Sequence, residues 1–74
     1  MKNKIKEVLS EVLEMDNSEI TDDLNQENCL KWDSLQHLNI MVELEEAFDL
    51  SFEPEEIADM ITLEKIIEIV TSKK

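Results

Sequence analysis

The stretch Trp32-Asp33-Ser34-Leu35-Gln36-His37-Leu38-Asn39-Ile40-Met41-Val42-Glu43-Leu44-Glu45-Glu46-Ala47-Phe48-Asp49 decides how this chain is read, because a polar loop ends in it and the longest apolar-periodic run begins. Asp33 carries the short carboxylate side chain that accepts from unpaired N–H groups at a helix start, and Gln36 follows at the spacing of a loose capping box. The pattern predicts a helix from Ser34 to Phe48. At about 100° per residue, Leu35, Leu38, Ile40, Met41, Val42, Leu44, Ala47 and Phe48 cover about two-thirds of its circumference. One core contact needs less than that. A helix packed on three sides would account for it, and so would a strip at Leu35, Leu38 and Val42 left open for docking beside the polar edge of Gln36, Asn39, Glu43 and Glu46.

Ser34 falls on the first turn of this helix. Its hydroxyl faces the partly positive helix end, where unpaired N–H groups and the macrodipole favour a phosphate-type anion. Read locally, a Ser or Asp at such a place is most often a cap and nothing more, so the rest of the chain has to decide between the two.

Seventy-four residues give one domain, residues 1–74, close to the size at which a single core barely offsets chain entropy. An enzyme-sized cleft does not fit in it. With 42% hydrophobic and 35% charged residues the chain has enough apolar content to fold. It contains no Gly and one Pro, so tight hairpins and phosphate-cradling loops are disfavoured and helices joined by polar loops are expected. The net charge is −12, and every acidic residue except Glu68 lies between Glu7 and Glu64, a span whose one base is Lys31. Such a surface repels nucleic acid and anionic membranes and attracts basic patches on proteins. It also serves simply to keep a protein in solution. The lone Cys29 provides neither a disulfide framework nor a metal pair, and reads as a small loop or core residue. Met1-Lys2-Asn3-Lys4 opens no apolar leader, and no run reaches the length of a membrane span. A cytoplasmic monomer is the expectation.

Before the deciding stretch, Ile5, Val8, Leu9, Val12 and Leu13 form one stripe of an amphipathic helix over Lys2–Leu13, expected to fade through Met15-Asp16-Asn17. Residues 16–33 form a long polar loop in which Ile20, Leu24, Leu30 and Trp32 stand as isolated anchors. Asp16 to Glu27 has the length of a calcium-binding loop, but Ile20 occupies the fifth position, where oxygen is needed, and Thr21 the sixth, where the turn needs Gly. After Phe48, Asp49 and Ser51 break the pattern and Glu53-Pro54 restarts it with proline at the first helical position. A short helix from Pro54 to about Met60 follows. Thr62 suits the N-cap of a last helix with the stripe Leu63, Ile66, Ile67 and Val70, and Lys73 and Lys74 sit where cations favour a helix C-terminus.

Asp33, Ser34 and His37 are residue types of a nucleophilic triad. They lie within one turn of one helix, whereas a working triad converges from separate elements onto a sheltered pocket with an oxyanion hole. His37 shares a sector with Leu44 and Phe48 and reads as a partly buried packing residue.

Asp33-Ser34-Leu35 opening a long helix, Val42-Glu43-Leu44-Glu45-Glu46-Ala47-Phe48-Asp49 closing it, and the spacing of the short and final helices together resemble the acyl carrier protein family, including peptidyl and D-alanyl carriers. The resemblance covers nearly the whole chain. It implies an all-α four-helix bundle of acyl-carrier type, with three longer helices, a short third helix and a long first loop. It further implies that 4′-phosphopantetheine is attached at Ser34 by a magnesium-dependent phosphopantetheinyl transferase using coenzyme A. Acyl or aminoacyl groups would be carried on that arm as thioesters, which makes the chain a partner and substrate of enzymes and no enzyme itself. By the same resemblance, loading and acyl-using enzymes with basic patches would dock on Asp33, Leu35, Leu38, Val42, Glu45 and Glu46, with Met60 on the third helix. Two departures stand out: Gln36 and Asn39 occupy places where fatty-acid carriers commonly have acidic residues, and Trp32 precedes Asp33 where those carriers often have a small residue. A specialised pathway of the polyketide, nonribosomal-peptide or surface-polysaccharide type fits these departures. The competing reading is a small acidic helical interaction or ion-binding module in which Ser34 only caps.

Overall fold

In the computed structural model, which describes residues 2–73, four helices follow one another: α1 (Lys2–Leu13), α2 (Ser34–Phe48), α3 (Pro54–Asp59) and α4 (Leu63–Lys73), with a 3-10 turn at Asn17–Glu19. The architecture is the expected all-α bundle. Helix α1 packs against both α2 and α4. Its stripe of Ile5, Val8, Leu9 and Leu13 meets Ile40, Met41 and Leu44 of α2 and Leu63, Ile66 and Val70 of α4 in one continuous core. Lys74, expected beside the last helix end, lies outside the described residues.

A chain without glycine ends its two longest helices by other means. Glu14 (φ 55°) and Asp49 (φ 53°) take the left-handed conformation that usually falls to Gly. Beyond them Met15 N–H reaches the Ser10 carbonyl at 3.0 Å and Leu50 N–H the Glu45 carbonyl at 3.1 Å, so each helix end is closed by a bond from past its left-handed residue. The first helix therefore stops at Glu14, a residue or more before the expected fade through Met15–Asn17. At the other ends, Thr62 Oγ1 accepts from Lys65 N–H at 3.0 Å as predicted, and Glu56 Oε1 of α3 reaches back to Glu53 N–H at 2.8 Å.

The long loop is tied down at three places. Lys2 and Lys6 of α1 both reach the Asp22 carboxylate, at 3.2 and 3.0 Å. Around an isolated bridge between Asn25 and Thr62, Gln26 N–H donates to the Ile61 carbonyl and Leu63 N–H to the Leu24 carbonyl, at 2.8 and 2.9 Å. Asn25 and Asn28 cap each other's backbone, each side-chain oxygen accepting from the other's N–H, which makes a turn without glycine. Of the four expected anchors, Ile20, Leu24 and Trp32 are buried; Leu30 is not, and stands 100% exposed. The anchor that takes its place is Cys29, buried with its Sγ 3.7 Å from Met15 Sδ. Two buried residues, Cys29 and Trp32, bracket Leu30 and turn it outward.

Met60 also departs from expectation. Helix α3 ends at Asp59, Met60 is the residue capping it, and its side chain has 0% exposure. It fills the core below the α3–α4 connection and offers nothing to a docking partner.

Candidate functional site

Ser34 opens α2, and the cap that starts the helix is made by its neighbour. Asp33 is extended (φ −94°, ψ −176°), its Oδ1 accepts from Gln36 N–H at 2.9 Å, and its carbonyl accepts from His37 N–H at 2.8 Å. The reciprocal half of the box is absent. Gln36 Oε1 instead accepts from Asn39 Nδ2 at 3.0 Å, so the two carboxamides form a neutral pair on the polar edge of α2. With capping left to Asp33, the Ser34 side chain is exposed and available for modification. The amides of Ser34 and Leu35 stay unpaired at the helix end.

Beneath this exposed turn lies a hydrogen-bonded relay. Trp32 is buried, and an indole N–H can only donate; it does so to His37 Nδ1 at 3.1 Å, in a buried contact with the two rings stacked at 6.1 Å between centroids. Nδ1 therefore carries no proton. His37 Nε2, 2.7 Å from the Ile57 carbonyl oxygen, carries it and donates. One neutral imidazole thus links the loop before Ser34, α2 and α3. Its burial agrees with the packing role read from the helix wheel, but the wheel gives no hint of its bonding role. A buried Trp N–H needs an acceptor, and the sequence offers Asp33, Ser34, Gln36 and His37 nearby; the fold selects His37. This arrangement also disposes of a triad, because both ring nitrogens are engaged away from Ser34.

The residues expected to meet partners separate into two groups. Leu35, Leu38 and Val42 are 68%, 56% and 52% exposed, while Ile40, Met41 and Leu44 point into the core. The strip expected at Leu35, Leu38 and Val42 is therefore open, and α2 is not packed on three sides. Asp33 and Glu46 are exposed as well. Glu45 is half-buried and serves the fold internally, since its Oε2 accepts from Phe52 N–H at 2.9 Å and ties the segment before α3 back onto α2. Met60, buried, is absent from this face.

The site suits a phosphodiester arm on one observation of its own: an exposed hydroxyl at the start of a 15-residue helix, flanked by open amides and left out of the cap. The Asp33 carboxylate, already on the Gln36 amide, opposes close capture of a second anion on that helix end. Among the described residues no helix is long and apolar enough to cross a membrane.

Residues 3–70 match the family described as "Phosphopantetheine attachment site". Among curated proteins, the chain is similar to "Polyketide-8 synthase acyl carrier protein 2" of Streptomyces avermitilis, 33% identical over 72 residues, covering 97% of this chain and 83% of that protein. It is likewise similar to an "Acyl carrier protein" of Guillardia theta, 32% identical over 71 residues, covering 95% of this chain and 86% of the relative. A third, the "Acyl carrier protein" of Rubrobacter xylanophilus, is 34% identical over 67 residues, covering 90% and 83%.

Proposed function

Because the chain belongs to the acyl carrier protein family, with 4′-phosphopantetheine as its cofactor and a carrier's role in place of a catalyst's, we propose that Ser34 is the attachment residue and that residues 1–74 act as a single carrier domain. The observation that carries this reading is the exposed Ser34 hydroxyl on the first turn of α2, capped by Asp33 and bordered by the open strip of Leu35, Leu38 and Val42. A phosphopantetheinyl transferase supplies the chemistry. The Ser34 oxygen bonds to the phosphorus of the pantetheine phosphate, the pyrophosphate P–O bond of coenzyme A breaks, the nucleotide bisphosphate leaves, and the hydroxyl proton passes to the transferase. The arm contributes a thiol that holds acyl or aminoacyl groups as thioesters.

Asp33, Leu35, Leu38, Val42 and Glu46 form the surface for partner enzymes with basic, partly apolar patches. Glu45 adds charge to that surface from its internal position. Charge complementarity of this kind speeds encounter and selects partners while leaving exchange fast. A specialised pathway is favoured by the neutral Gln36–Asn39 pair, which withholds charge from the polar edge of α2, and by the polyketide relative. The protein works as a monomer in the cytoplasm.

The deciding experiment is intact-protein mass before and after incubation with coenzyme A, magnesium and a broad-specificity phosphopantetheinyl transferase. Wild type should gain one phosphopantetheine and Ser34→Ala none. Folded, initially unmodified wild type that gains nothing, beside a control carrier that does, would refute the reading.

A further inference from the structure

We infer that Leu30 is an apolar contact for the enzyme that modifies Ser34; the inference rests on Ser34 being the attachment residue. The neighbouring loop residues Cys29 and Trp32 are buried while Leu30 is fully exposed. That exposure is imposed from both sides. Trp32 N–H donates to the Cys29 carbonyl at 3.1 Å, which closes a turn with Leu30 and Lys31 at its corner. Lys31 is held as well, its Nζ donating to the Glu14 carbonyl at 3.1 Å at the end of α1. Leu30 is thus presented outward from a turn anchored on two buried side chains, with little freedom to fold inward.

An isolated exposed leucine carries no meaning by itself, so its position has to decide. Ser34 follows Leu30 by four positions, a span of at most about 14 Å for an extended chain. An enzyme that forms a bond to Ser34 Oγ must bring its active site against the backbone on both sides of that atom. Along the chain, the exposed Leu30 precedes that atom and the exposed Leu35 follows it. The surroundings fix the chemistry of the contact. Glu27 and Asp33 are exposed near the turn, and the one nearby base, Lys31, is directed to Glu14. The complementary surface is an apolar pocket with a basic rim.

The test is steady-state modification of wild type, Leu30→Ser, Leu30→Met and Ile61→Ser by a broad-specificity phosphopantetheinyl transferase with coenzyme A and magnesium, followed by mass. Ile61 is an exposed apolar residue in the α3–α4 connection and serves as control. Loss of one leucine contact predicts about a tenfold fall in kcat/KM for Leu30→Ser, carried by KM. Leu30→Met should recover most of it, Ile61→Ser should match wild type, and the near-ultraviolet signal of Trp32 should be the same in all four. Equal kcat/KM for wild type and Leu30→Ser would overturn the inference and leave the Ser34 reading standing, as would an equal loss in Ile61→Ser. Folded wild type that is never modified would remove both.

Discussion

At the smallest scale, His37 ties together three segments, its neutral ring accepting from Trp32 and donating to the Ile57 carbonyl. Replacing it with Phe keeps a ring in place but leaves the buried indole N–H with no acceptor. A buried polar group stripped of its partner costs about 1–3 kcal/mol, and the Ile57 carbonyl loses a donor too. His37→Phe should therefore lower unfolding stability by about 2–3 kcal/mol in a urea titration. Trp32→Phe combined with His37→Phe should cost less than the two single changes added together, because the orphaned pair is then removed as a unit. Simple additivity would mean that the two rings act as independent packing residues. Met60 gives a second residue-scale test, with the opposite division of effects from a docking residue. Truncating this fully buried side chain to Ala should cost about 2–5 kcal/mol, while Ser34 in the folded fraction stays modifiable at the wild-type rate. A normal melting temperature with a large rise in transferase KM would restore Met60 to the docking face.

At the scale of elements, α2 divides its circumference between core and solvent, and the division predicts where substitutions are felt. Leu38→Ser and Val42→Ser touch exposed positions and should change stability by no more than about 0.5 kcal/mol, yet weaken capture by enzymes that dock on α2. A thermal melt alongside transferase kinetics separates the two effects. Helices α3 and α4 are joined across their ends by Glu56 and Lys73, 2.9 Å apart. The Glu53 backbone N–H, and after it the Lys73 ammonium, hold the Glu56 carboxyl below its ordinary value of 4.5. A carboxyl depressed in the folded state contributes stability above its unfolded value and loses it as pH falls through the folded one. Glu56→Gln should therefore melt below wild type at neutral pH, with a gap that closes as acid takes the pH below the ordinary value of 4.5 and through the lower folded one. A gap that stays constant to the acid limit would show that the charge on Glu56 contributes nothing. The same elements show what the sequence could reveal. The helices are legible because their apolar stripes repeat at helical spacing, and because Asp33, Pro54 and Thr62 are start signals with a local mechanism. The long loop is less so. Leu30 and Leu24 look alike in sequence, and only the turn from Cys29 to Trp32 sends one out and leaves the other in. Glu45 and Met60 enter the docking face only through the family resemblance; the Glu45 bond to Phe52 N–H spans seven residues, beyond any local rule, and nothing local in the sequence shows that the Met60 side chain is buried. The turn proposed for attachment is fully visible, since cap, serine and open strip are adjacent in the chain.

For the whole molecule the governing quantity is a net charge of −12 on a body of 26 × 22 × 18 Å. The screening length is about 30 Å at 0.01 M salt and about 10 Å at 0.1 M. At the lower concentration every carboxylate feels nearly every other across the bundle; at the higher one only near neighbours interact. The same salt weakens attraction within the ion pairs of the described residues: Asp22 with Lys2 and Lys6, Glu56 with Lys73, and Lys65 with Glu68. These pairs act over 2.9–3.5 Å, well inside either screening length, and partly exposed pairs are worth about 0–1 kcal/mol each at best. Repulsion is the long-range sum and is screened first, so it decides the sign. Raising sodium chloride from about 0.01 M to about 0.1 M should therefore raise the melting temperature by several degrees, which for a domain of this size corresponds to about 1 kcal/mol. The rise should level off once the screening length falls to the spacing of neighbouring carboxylates. The carrier would then hold its fold against its own surface charge. A melting temperature that stays flat or falls over that range would show that the ion pairs outweigh the repulsion, and that the acidity is already balanced locally where Lys2 and Lys6 meet Asp22 and Lys73 meets Glu56.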